Sequence, residues 1–494
     1  MAQVYKNLIG GKWVEAASGQ TFADKNPANT EDVLGYFPRS DGRDVDAAAR
    51  AAAGAFERWR RVPAPRRAEV LFRAGEALVR RKEELARAMT REMGKVLKES
   101  RGDVQEGIDM TYYIAGEGRR LWGQTTPSEL PDKWAMSVRV PVGVVACIAP
   151  WNFPLAIPTW KLVPALVAGN TVIFKPAEDT PLLGHLLVEI LLEAGLPPEV
   201  LQLVHGHGEE AGAPLVRHPL VNLVSFTGSS EVGQDVAVAC AKEHRRCSLE
   251  MGGKNCILVL EDADLDLAVD GAVWGGFGTT GQRCTAASRV IVHEAVAREF
   301  TDALVRRATR LRLGDGLLPE TEVGPVVNEA QLTRVHGYTE VGQREGAELL
   351  CGGAFAREGA LAKGYFYRPT VFAKVKPTMR IAQEEIFGPT VAVLPVRSFE
   401  EAVTVANGVR YGLSTAIYTR DVNRAFRAMG DLQAGIIYVN APTIGAEVHL
   451  PFGGVKATGN GHREGGPQVL DIFTEWKTIY VDYSGRLQRA QIDV

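Results

Sequence analysis

From about Val138 onward, short apolar segments alternate with longer helical segments, and this alternation most constrains the fold. The apolar segments carry almost no charge, as expected of strands that are buried on both faces of a parallel sheet. Strands that alternate with helices predict a doubly wound α/β architecture. In this stretch we predict strands at residues 142–148, 171–175, 201–205 and 223–227, and helices at 155–167 and 182–194.

A second α/β region begins near Lys254. Its predicted strands are 256–260, 289–292, 371–375, 391–395, 414–418 and 435–440, and its predicted helices are 265–274 and 296–311. Before Val138 we predict short strands at 6–9 and 12–14, then helices at 45–59, 66–81, 83–93 and 104–114, with Asp44 capping the first. A last strand, 476–482, follows the final glycine-rich loop. A chain of 494 residues is expected to hold two to four domains.

The composition excludes several classes of protein. A net charge of −3 gives no bulk attraction to nucleic acid or to an anionic membrane, so we expect neither partner. The apolar stretches 142–148 and 182–192 are too short to span a bilayer. The chain opens without an evident secretory signal, and its six cysteines form neither a disulfide framework nor a C-x-x-C metal site. We therefore expect a cytoplasmic protein with free thiols and no bound metal.

One cysteine stands apart from the others. Cys284 ends Gly-Gln-Arg-Cys after the glycine-rich residues 275–278, and we expect an accessible loop just before a helix. A helix N-terminus and a nearby cation would lower the pKa of such a thiol. Cysteines in strand or helix patterns are expected to be inert and buried, and these are Cys147, Cys240, Cys247 and Cys256.

Two polar residues occupy unusual positions at strand ends. Glu250 lies among apolar and glycine residues, where desolvation could raise its pKa and make it a general base; a surface glutamate at a turn is the alternative. Asn152, in Pro-Trp-Asn-Phe-Pro, could donate its amide to an oxyanion or could cap the helix that follows.

Two further segments are typical of ligand binding at the edge of an α/β sheet. Lys175 and Glu178 follow a strand and could contact ribose hydroxyls. Residues 226–233 run from a strand through a glycine turn into a helix, whose N-terminus could hold a phosphate. Neither segment is a full dinucleotide fingerprint. Asp262, Asp264 and Asp266 alternate as in a calcium loop, but the glycine and glutamate of such a loop are missing, so a capped helix start is predicted.

Together these segments resemble the NAD(P)-dependent aldehyde dehydrogenase superfamily, in family order, from about Asn7 to Tyr480. The family motifs correspond to residues 150–154 (Pro-Trp-Asn-Phe-Pro), 249–254 (Leu-Glu-Met-Gly-Gly-Lys), 281–284 (Gly-Gln-Arg-Cys), 384–389 (Glu-Glu-Ile-Phe-Gly-Pro) and 451–456 (Pro-Phe-Gly-Gly-Val-Lys). Met251 replaces the usual leucine of the second motif, which is a mild variation.

The resemblance implies catalytic roles for three residues. Cys284 would attack the aldehyde carbon as a thiolate. The Asn152 amide and the Cys284 N–H would hold the oxyanion, and Glu250 would activate the water that hydrolyses the thioester.

The resemblance also implies a cofactor site for NAD, with NADP possible. Lys175 and Glu178 would contact the adenine ribose, Ser229 the pyrophosphate, and Glu385 the nicotinamide ribose. A carboxylate at Glu178 favours NAD because it repels a 2′-phosphate. Further contacts are implied at Ile148, Trp151, Gly208, Gly212, Phe226, Gly228, Gly252 and Phe387.

By the same resemblance, residues 1–119 and 142–252 would form the cofactor domain and 253–467 the catalytic domain. Residues 120–141 and 468–494 would form an oligomerisation flap of β-structure, which predicts a homodimer or homotetramer.

The substrate is expected to be a small aldehyde. The loop 442–447 with Gly445 and Ala446, together with Ser288 and Phe452, resembles branches that oxidise carboxylate-bearing semialdehydes: α-aminoadipic, glutamic or α-ketoglutaric. Glu106 could face a substrate amine or simply be a solvated helical glutamate. A broad-specificity enzyme is one alternative. A CoA-acylating enzyme is another, and Glu250 argues against it.

Overall fold

The computed structural model describes residues 2–493 and contains two seven-stranded sheets with helices on both faces, which confirms the predicted α/β class. In the first sheet the strand order is Arg246–Glu250, Leu223–Thr227, Val144–Ile148, Thr171–Lys175, Leu201–Leu203, Asn7–Ile9 and Lys12–Val14. In the second sheet it is Glu348–Cys351, Thr370–Ala373, Thr390–Val396, Arg289–His293, Cys256–Val259, Ser414–Tyr418 and Ile436–Val439. Most of their strand pairs are parallel.

The first part of the chain supplies the N-terminal strands and four helices. Their bounds are β1 Gln3–Val4, β2 Asn7–Ile9, β3 Lys12–Val14, β4 Thr21–Lys25, β5 Val33–Pro38, α1 Gly42–Trp59, α2 Ala64–Arg80, α3 Lys82–Met93 and α4 Leu97–Glu117. The prediction that Asp44 caps α1 is wrong. Asp41 is the cap, and Asp44 completes a capping box by accepting the Asp41 N–H at 3.1 Å.

The middle part of the chain supplies two strands of a small sheet and then five strands of the first large sheet. The bounds are β6 Gln124–Pro127, β7 Lys133–Pro141, β8 Val144–Ile148, α5 Ala156–Ala168, β9 Thr171–Lys175, α6 Pro181–Glu193, β10 Leu201–Leu203, α7 Ala213–Arg217, β11 Leu223–Thr227, α8 Ser230–Lys242 and β12 Arg246–Glu250. A π-helical turn, Gly208–Gly212, precedes α7. The central strands are fully buried, because helices cover both faces of the sheet.

The rest of the chain supplies the second large sheet, a two-stranded sheet and the last strand of the small sheet. The bounds are β13 Cys256–Val259, α9 Leu265–Phe277, β14 Arg289–His293, α10 Glu294–Ala308, α11 Glu329–Arg344, β15 Glu348–Cys351, β16 Thr370–Ala373, α12 Arg380–Gln383, β17 Thr390–Val396, α13 Phe399–Asn407, β18 Tyr411–Gly412, β19 Ser414–Tyr418, α14 Val422–Asp431, β20 Ile436–Val439, β21 Val455–Lys456, α15 Leu470–Phe473 and β22 Thr474–Asp482. Asp264 caps α9 by accepting the Leu267 N–H, so the capped helix start is confirmed.

A three-stranded sheet, ordered β22-β7-β6, brings the segments 120–141 and 468–494 together. Strand β22 pairs with β7 over nine residues, from Thr474 opposite Pro141 to Asp482 opposite Lys133. No helix in the described part of the chain is long and apolar enough to cross a membrane.

Strand register explains how the first sheet aligns its functional residues. Ile148 ends β8 and lies opposite Lys175 of β9 on one side and Phe226 of β11 on the other. On the next strand Phe226 lies opposite Leu249, so Glu250 is one residue beyond this row. Parallel pairing therefore brings four strand ends to one edge, where α/β proteins bind ligands.

Candidate active site

Cys284 lies in the loop between α9 and β14. The expectation of a helix directly after it is wrong: a short 3₁₀ turn, Gly278–Gly281, precedes it, and the next element is the strand β14. The Asn255 side-chain amide fixes the loop by donating to the Cys284 carbonyl at 2.7 Å and to the Ala286 carbonyl at 3.1 Å. The helix N-terminus that was expected directly after Cys284 is therefore absent from this loop.

The backbone before Cys284 has three successive left-handed residues: Thr279 (φ 51°), Thr280 (φ 58°) and Gly281 (φ 67°). A β-branched residue in this region costs about 1–3 kcal/mol, so the surroundings must hold it there. The Thr279 N–H donates to Glu99 at 2.7 Å, and the Thr280 hydroxyl donates to the Gly324 carbonyl at 3.0 Å. At Gly281 a Cβ would lie 2.1 Å from the Gly388 oxygen, so only glycine fits.

The Cys284 thiol is protonated at rest. Burial raises its pKa to about 12, with further contributions from the carboxyl groups of Glu250, Glu385 and Glu106. This is the reverse of the lowered pKa expected from the sequence, because burial disfavours the thiolate and the nearby acidic side chains disfavour it further.

Glu250 ends β12 with its side chain inside the protein. It is 3% exposed, and neither carboxylate oxygen has a hydrogen-bond partner among the described residues. Burial raises its pKa well above the ordinary value, and Glu464 raises it further, while Lys161 and Arg463 act in the opposite direction. The surface-turn alternative is therefore wrong, and Glu250 has the environment of a general base.

A buried ion pair lies beside Glu250. Lys161 of α5 contacts Glu464 closely and donates to the Ser225 hydroxyl at 3.2 Å. The two side chains are 0% and 5% exposed, respectively. The sequence does not predict this pair, although Lys161 is the single charged residue of the otherwise apolar helix α5, which indicates a special role.

Asn152 does not cap a helix, since α5 begins at Ala156 with Leu155 at the cap position. Its side-chain amide donates to the Gln282 carbonyl at 3.1 Å, two residues before the nucleophile candidate. An amide has two N–H donors, so one remains for a ligand oxygen.

A cavity of about 190 Å³ runs from Cys284 to the N-terminus of α8. Of the predicted cofactor contacts, it is lined by Trp151, Gly228, Ser229, Gly252, Glu385 and Phe387, together with Asn152 and Cys284. Ser229 caps α8 and accepts the Val232 N–H at 3.3 Å.

Two glycines keep this cavity open. A Cβ on Gly252 would lie 2.2 Å from Glu385 Oε2, and one on Gly228 would lie 2.5 Å from the Phe226 ring. Glu385 accepts the Gly253 N–H at 2.9 Å, and burial raises its pKa to about 7. A hydroxyl-rich ligand with phosphates fits this lining, because it offers donors to Glu385 and an anion to the helix end.

Four of the other predicted cofactor residues form a second group farther along the sheet edge: Lys175, Glu178, Gly208 and Gly212. Ile148 and Phe226 are not among the residues that line the cavity; they lie opposite each other in β8 and β11. Lys175 Nζ lies 3.1 Å from Glu178 Oε2, and the Gly208 N–H donates to Glu178 Oε1 at 3.2 Å. A Cβ on Gly212 would lie 3.5 Å from the Lys175 side chain. Burial would raise the pKa of Glu178, but Lys175 and the Gly208 N–H together lower it, so the carboxylate is charged.

A second cavity of about 110 Å³ meets Cys284 from the opposite side. Four of the five predicted substrate residues line it: Glu106, Gly445, Ala446 and Phe452. Ser288 does not line it; its hydroxyl is buried without a hydrogen-bond partner among the described residues. Thr285 lines the cavity instead, because the chain turns into β14 before Ser288 is reached.

Arg283 is the one cationic side chain among the residues that line this second cavity, and sequence analysis did not select it. Its guanidinium lies between the Phe153 and Trp274 rings, 5.2 Å from each centroid. Glu99 at 3.6 Å and the Thr279 hydroxyl at 2.9 Å hold it in place. Its adjacency to Cys284 is the feature of the sequence that could have pointed to it.

The sequence pattern of the aldehyde dehydrogenase family matches residues 13–479. The chain belongs to this family. As an aldehyde dehydrogenase it is an oxidoreductase that acts on aldehydes, which confirms the resemblance drawn from the motifs.

Curated relatives and solved structures agree with the assignment. The α-ketoglutaric semialdehyde dehydrogenase of Bacillus subtilis is 42% identical over 97% of this chain and 98% of its own length. The α-ketoglutarate semialdehyde dehydrogenase of Haloferax volcanii is 43% identical over 98% of this chain and all of its own. The crystal structure of betaine aldehyde dehydrogenase from Staphylococcus aureus, in complex with NAD+, is 35% identical, with a TM-score of 0.95 over 98% of this chain and 95% of that one.

Proposed function

We propose that this aldehyde dehydrogenase oxidises a short semialdehyde that carries a carboxylate, with α-ketoglutaric semialdehyde as the first candidate. The observation that carries the proposal is Arg283, a fixed cation in the cavity behind Cys284. A guanidinium binds a carboxylate through paired hydrogen bonds. The relatives named for α-ketoglutaric semialdehyde support the same substrate class. α-Aminoadipic and glutamic semialdehydes remain alternatives.

The proposed reaction begins with transfer of the Cys284 thiol proton to solvent water, which leaves the thiolate. When bound, NAD+ would supply the hydride acceptor and the positive charge of its nicotinamide ring. Cys284 and Glu250 both ionise more readily beside a positive charge. The thiolate attacks the aldehyde carbon, and the oxyanion is held by the second Asn152 N–H and the Cys284 backbone N–H. Loss of hydride from the thiohemiacetal leaves a thioester on Cys284.

Glu250 then completes the cycle. As a carboxylate it removes a proton from water, the resulting hydroxide attacks the thioester, and the acid leaves as Cys284 regains its thiol. The absence of any hydrogen-bond donor on Glu250 within the described residues leaves both of its oxygens available to a water. Of the ion pair beside it, Glu464 raises the pKa of Glu250 and Lys161 lowers it.

We propose NAD as the preferred cofactor. Lys175 and the Gly208 N–H hold one Glu178 oxygen each, so the orientation of the carboxylate is fixed. A fixed negative charge there accepts a ribose hydroxyl and repels a 2′-phosphate.

We propose a homodimer or homotetramer, with 1–119 and 142–252 as cofactor domain, 253–467 as catalytic domain and 120–141 with 468–494 as flap. Strand β22 is an edge of its small sheet and β20 an edge of the second large sheet, so each offers unpaired backbone groups. Pairing of β22 with β20 of another subunit would satisfy both. We place the enzyme in the cytoplasm, where its six free cysteines stay reduced.

A substrate panel tests the proposed function. The values of kcat/KM are compared for α-ketoglutaric semialdehyde, for 5-oxopentanoate, which lacks the keto group, and for pentanal, which lacks the carboxylate, each with NAD+ and NADP+. We expect both acids to exceed pentanal by at least about tenfold. Equal values for all three would instead indicate a broad-specificity enzyme.

A further inference from the structure

A fully buried ion pair outside both cavities contacts the segment that carries Asn152. Lys95 follows helix α3, and its Nζ lies 2.8 Å from Asp103 Oδ2 of helix α4. Both side chains are 0% exposed. A buried pair of this kind is weak as a source of stability, because desolvation offsets the attraction of the charges. The contacts that the two side chains make, rather than a gain in stability, therefore account for the presence of this pair.

Each partner holds one backbone group of the Asn152 segment. Lys95 Nζ donates to the Asn152 carbonyl at 2.7 Å, and Asp103 Oδ1 accepts the Ala156 N–H at 2.8 Å. A carbonyl and an N–H four residues apart are the partners of an α-helical hydrogen bond. The next such pair does form, since the Ile157 N–H donates to the Phe153 carbonyl at 3.2 Å.

We propose that Lys95 and Asp103 are positioning residues that keep Asn152 out of helix α5. By occupying the Asn152 carbonyl and the Ala156 N–H, they prevent the hydrogen bond that would extend the helix back to Asn152. Asn152 then keeps the bend in which its amide reaches the Gln282 carbonyl and the cavity beside Cys284. Lys95 also lies 4.0 Å from the centroid of the Phe153 ring, which fixes the residue after Asn152. Lys95 itself lines neither cavity, and it acts through the segment that carries Asn152.

A double-mutant cycle tests this role. The rate of the first turnover, followed as the NADH burst, is measured for the wild type, Lys95→Met, Asn152→Ala and the double variant, with 5-oxopentanoate and with pentanal. We expect Lys95→Met to slow the burst at least about tenfold, since loss of one oxyanion donor costs about 10²–10³. In the Asn152→Ala background we expect less than a threefold further change. Equal effects in the two backgrounds would overturn the proposal, because a merely structural lysine does not depend on the Asn152 amide.

Controls separate positioning from misfolding. Lys82→Met is the matched control: Lys82 Nζ also contacts helix α4, through Gln105 Oε1 at 2.6 Å, but does not contact the Asn152 segment. It is expected to keep the wild-type burst. Lys95→Met leaves Asp103 buried without its partner, so Lys95→Met with Asp103→Asn removes both charges and retains an oxygen for the Ala156 N–H. NAD+ binding and circular dichroism of both variants should match the wild type. A wild-type burst in Lys95→Met, or in the variant that combines Lys95→Met with Asp103→Asn, would also overturn the proposal.

Discussion

Replacing Arg283 with methionine should change which aldehydes are oxidised rather than whether they are oxidised. Opposite charges about 4 Å apart attract by about 4 kcal/mol at an effective dielectric constant of about 20. Arg283 is already paired with Glu99 at 3.6 Å, so a bound carboxylate gains less than this. A charge-assisted hydrogen bond of about 1.5–3 kcal/mol corresponds to about a 10- to 150-fold loss of kcat/KM for 5-oxopentanoate.

The assay compares kcat/KM for 5-oxopentanoate and pentanal in the wild type and in Arg283→Met, by NADH absorbance. Pentanal has no carboxylate, so its kcat/KM should change less than about threefold. Arg101→Met, which removes an exposed arginine of the same neighbourhood paired with Glu83, is the control and should leave both values unchanged. Equal losses for the two aldehydes would refute the carboxylate contact and leave Arg283 as a support for the Cys284 loop.

Four further predictions concern the cofactor site, the chemistry and the assembly. Cys284→Ala should abolish NADH production but retain NAD+ binding, measured by quenching of tryptophan fluorescence; turnover would contradict the nucleophile assignment. Glu250→Gln should release a burst of NADH and then turn over at least about 100-fold more slowly, because water attack has lost its base; a wild-type steady state would exclude that role. Glu178→Gln should raise kcat/KM for NADP+ relative to NAD+, since the repelling charge is removed, and an unchanged ratio would show that other groups set the preference. Sedimentation velocity should find a dimer or tetramer, and Tyr480→Asp on β22 should shift it towards monomer; a monomeric wild type would contradict the flap proposal.

Strand positions followed from the sequence because they depend on local patterns. Residues 171–175, 223–227 and 414–418 were predicted with the bounds that the structure has. Each is a short apolar segment buried on both faces, so burial and sequence pattern report the same property.

The course of the chain around Cys284 could not be predicted from the neighbouring sequence. Glycines before a reactive residue are compatible with a helix or a loop, and distant groups decide between them. Glu99 and Gly388 fix the left-handed residues 279–281, and neither is a sequence neighbour. The lowered pKa expected for Cys284 failed for the same reason, because the carboxyl groups that raise it come from three other parts of the chain.

The ion pairs were missed because their partners carry no shared pattern. Lys161 and Glu464 are 303 residues apart, and only the first is unusual in its local sequence. Lys95 and Asp103 are close in sequence, but their target, Asn152, is not. The roles of such side chains can be assigned only when the tertiary fold is known.

The closeness of Lys161 to Glu464 has a consequence for how the enzyme is made. Synthesis proceeds from the N-terminus, so Cys284 and Glu250 leave the ribosome long before the segment that sets the charge around Glu250. A chain still attached to the ribosome therefore holds the nucleophile and base candidates without Glu464. Turnover should consequently be a late marker of folding during synthesis.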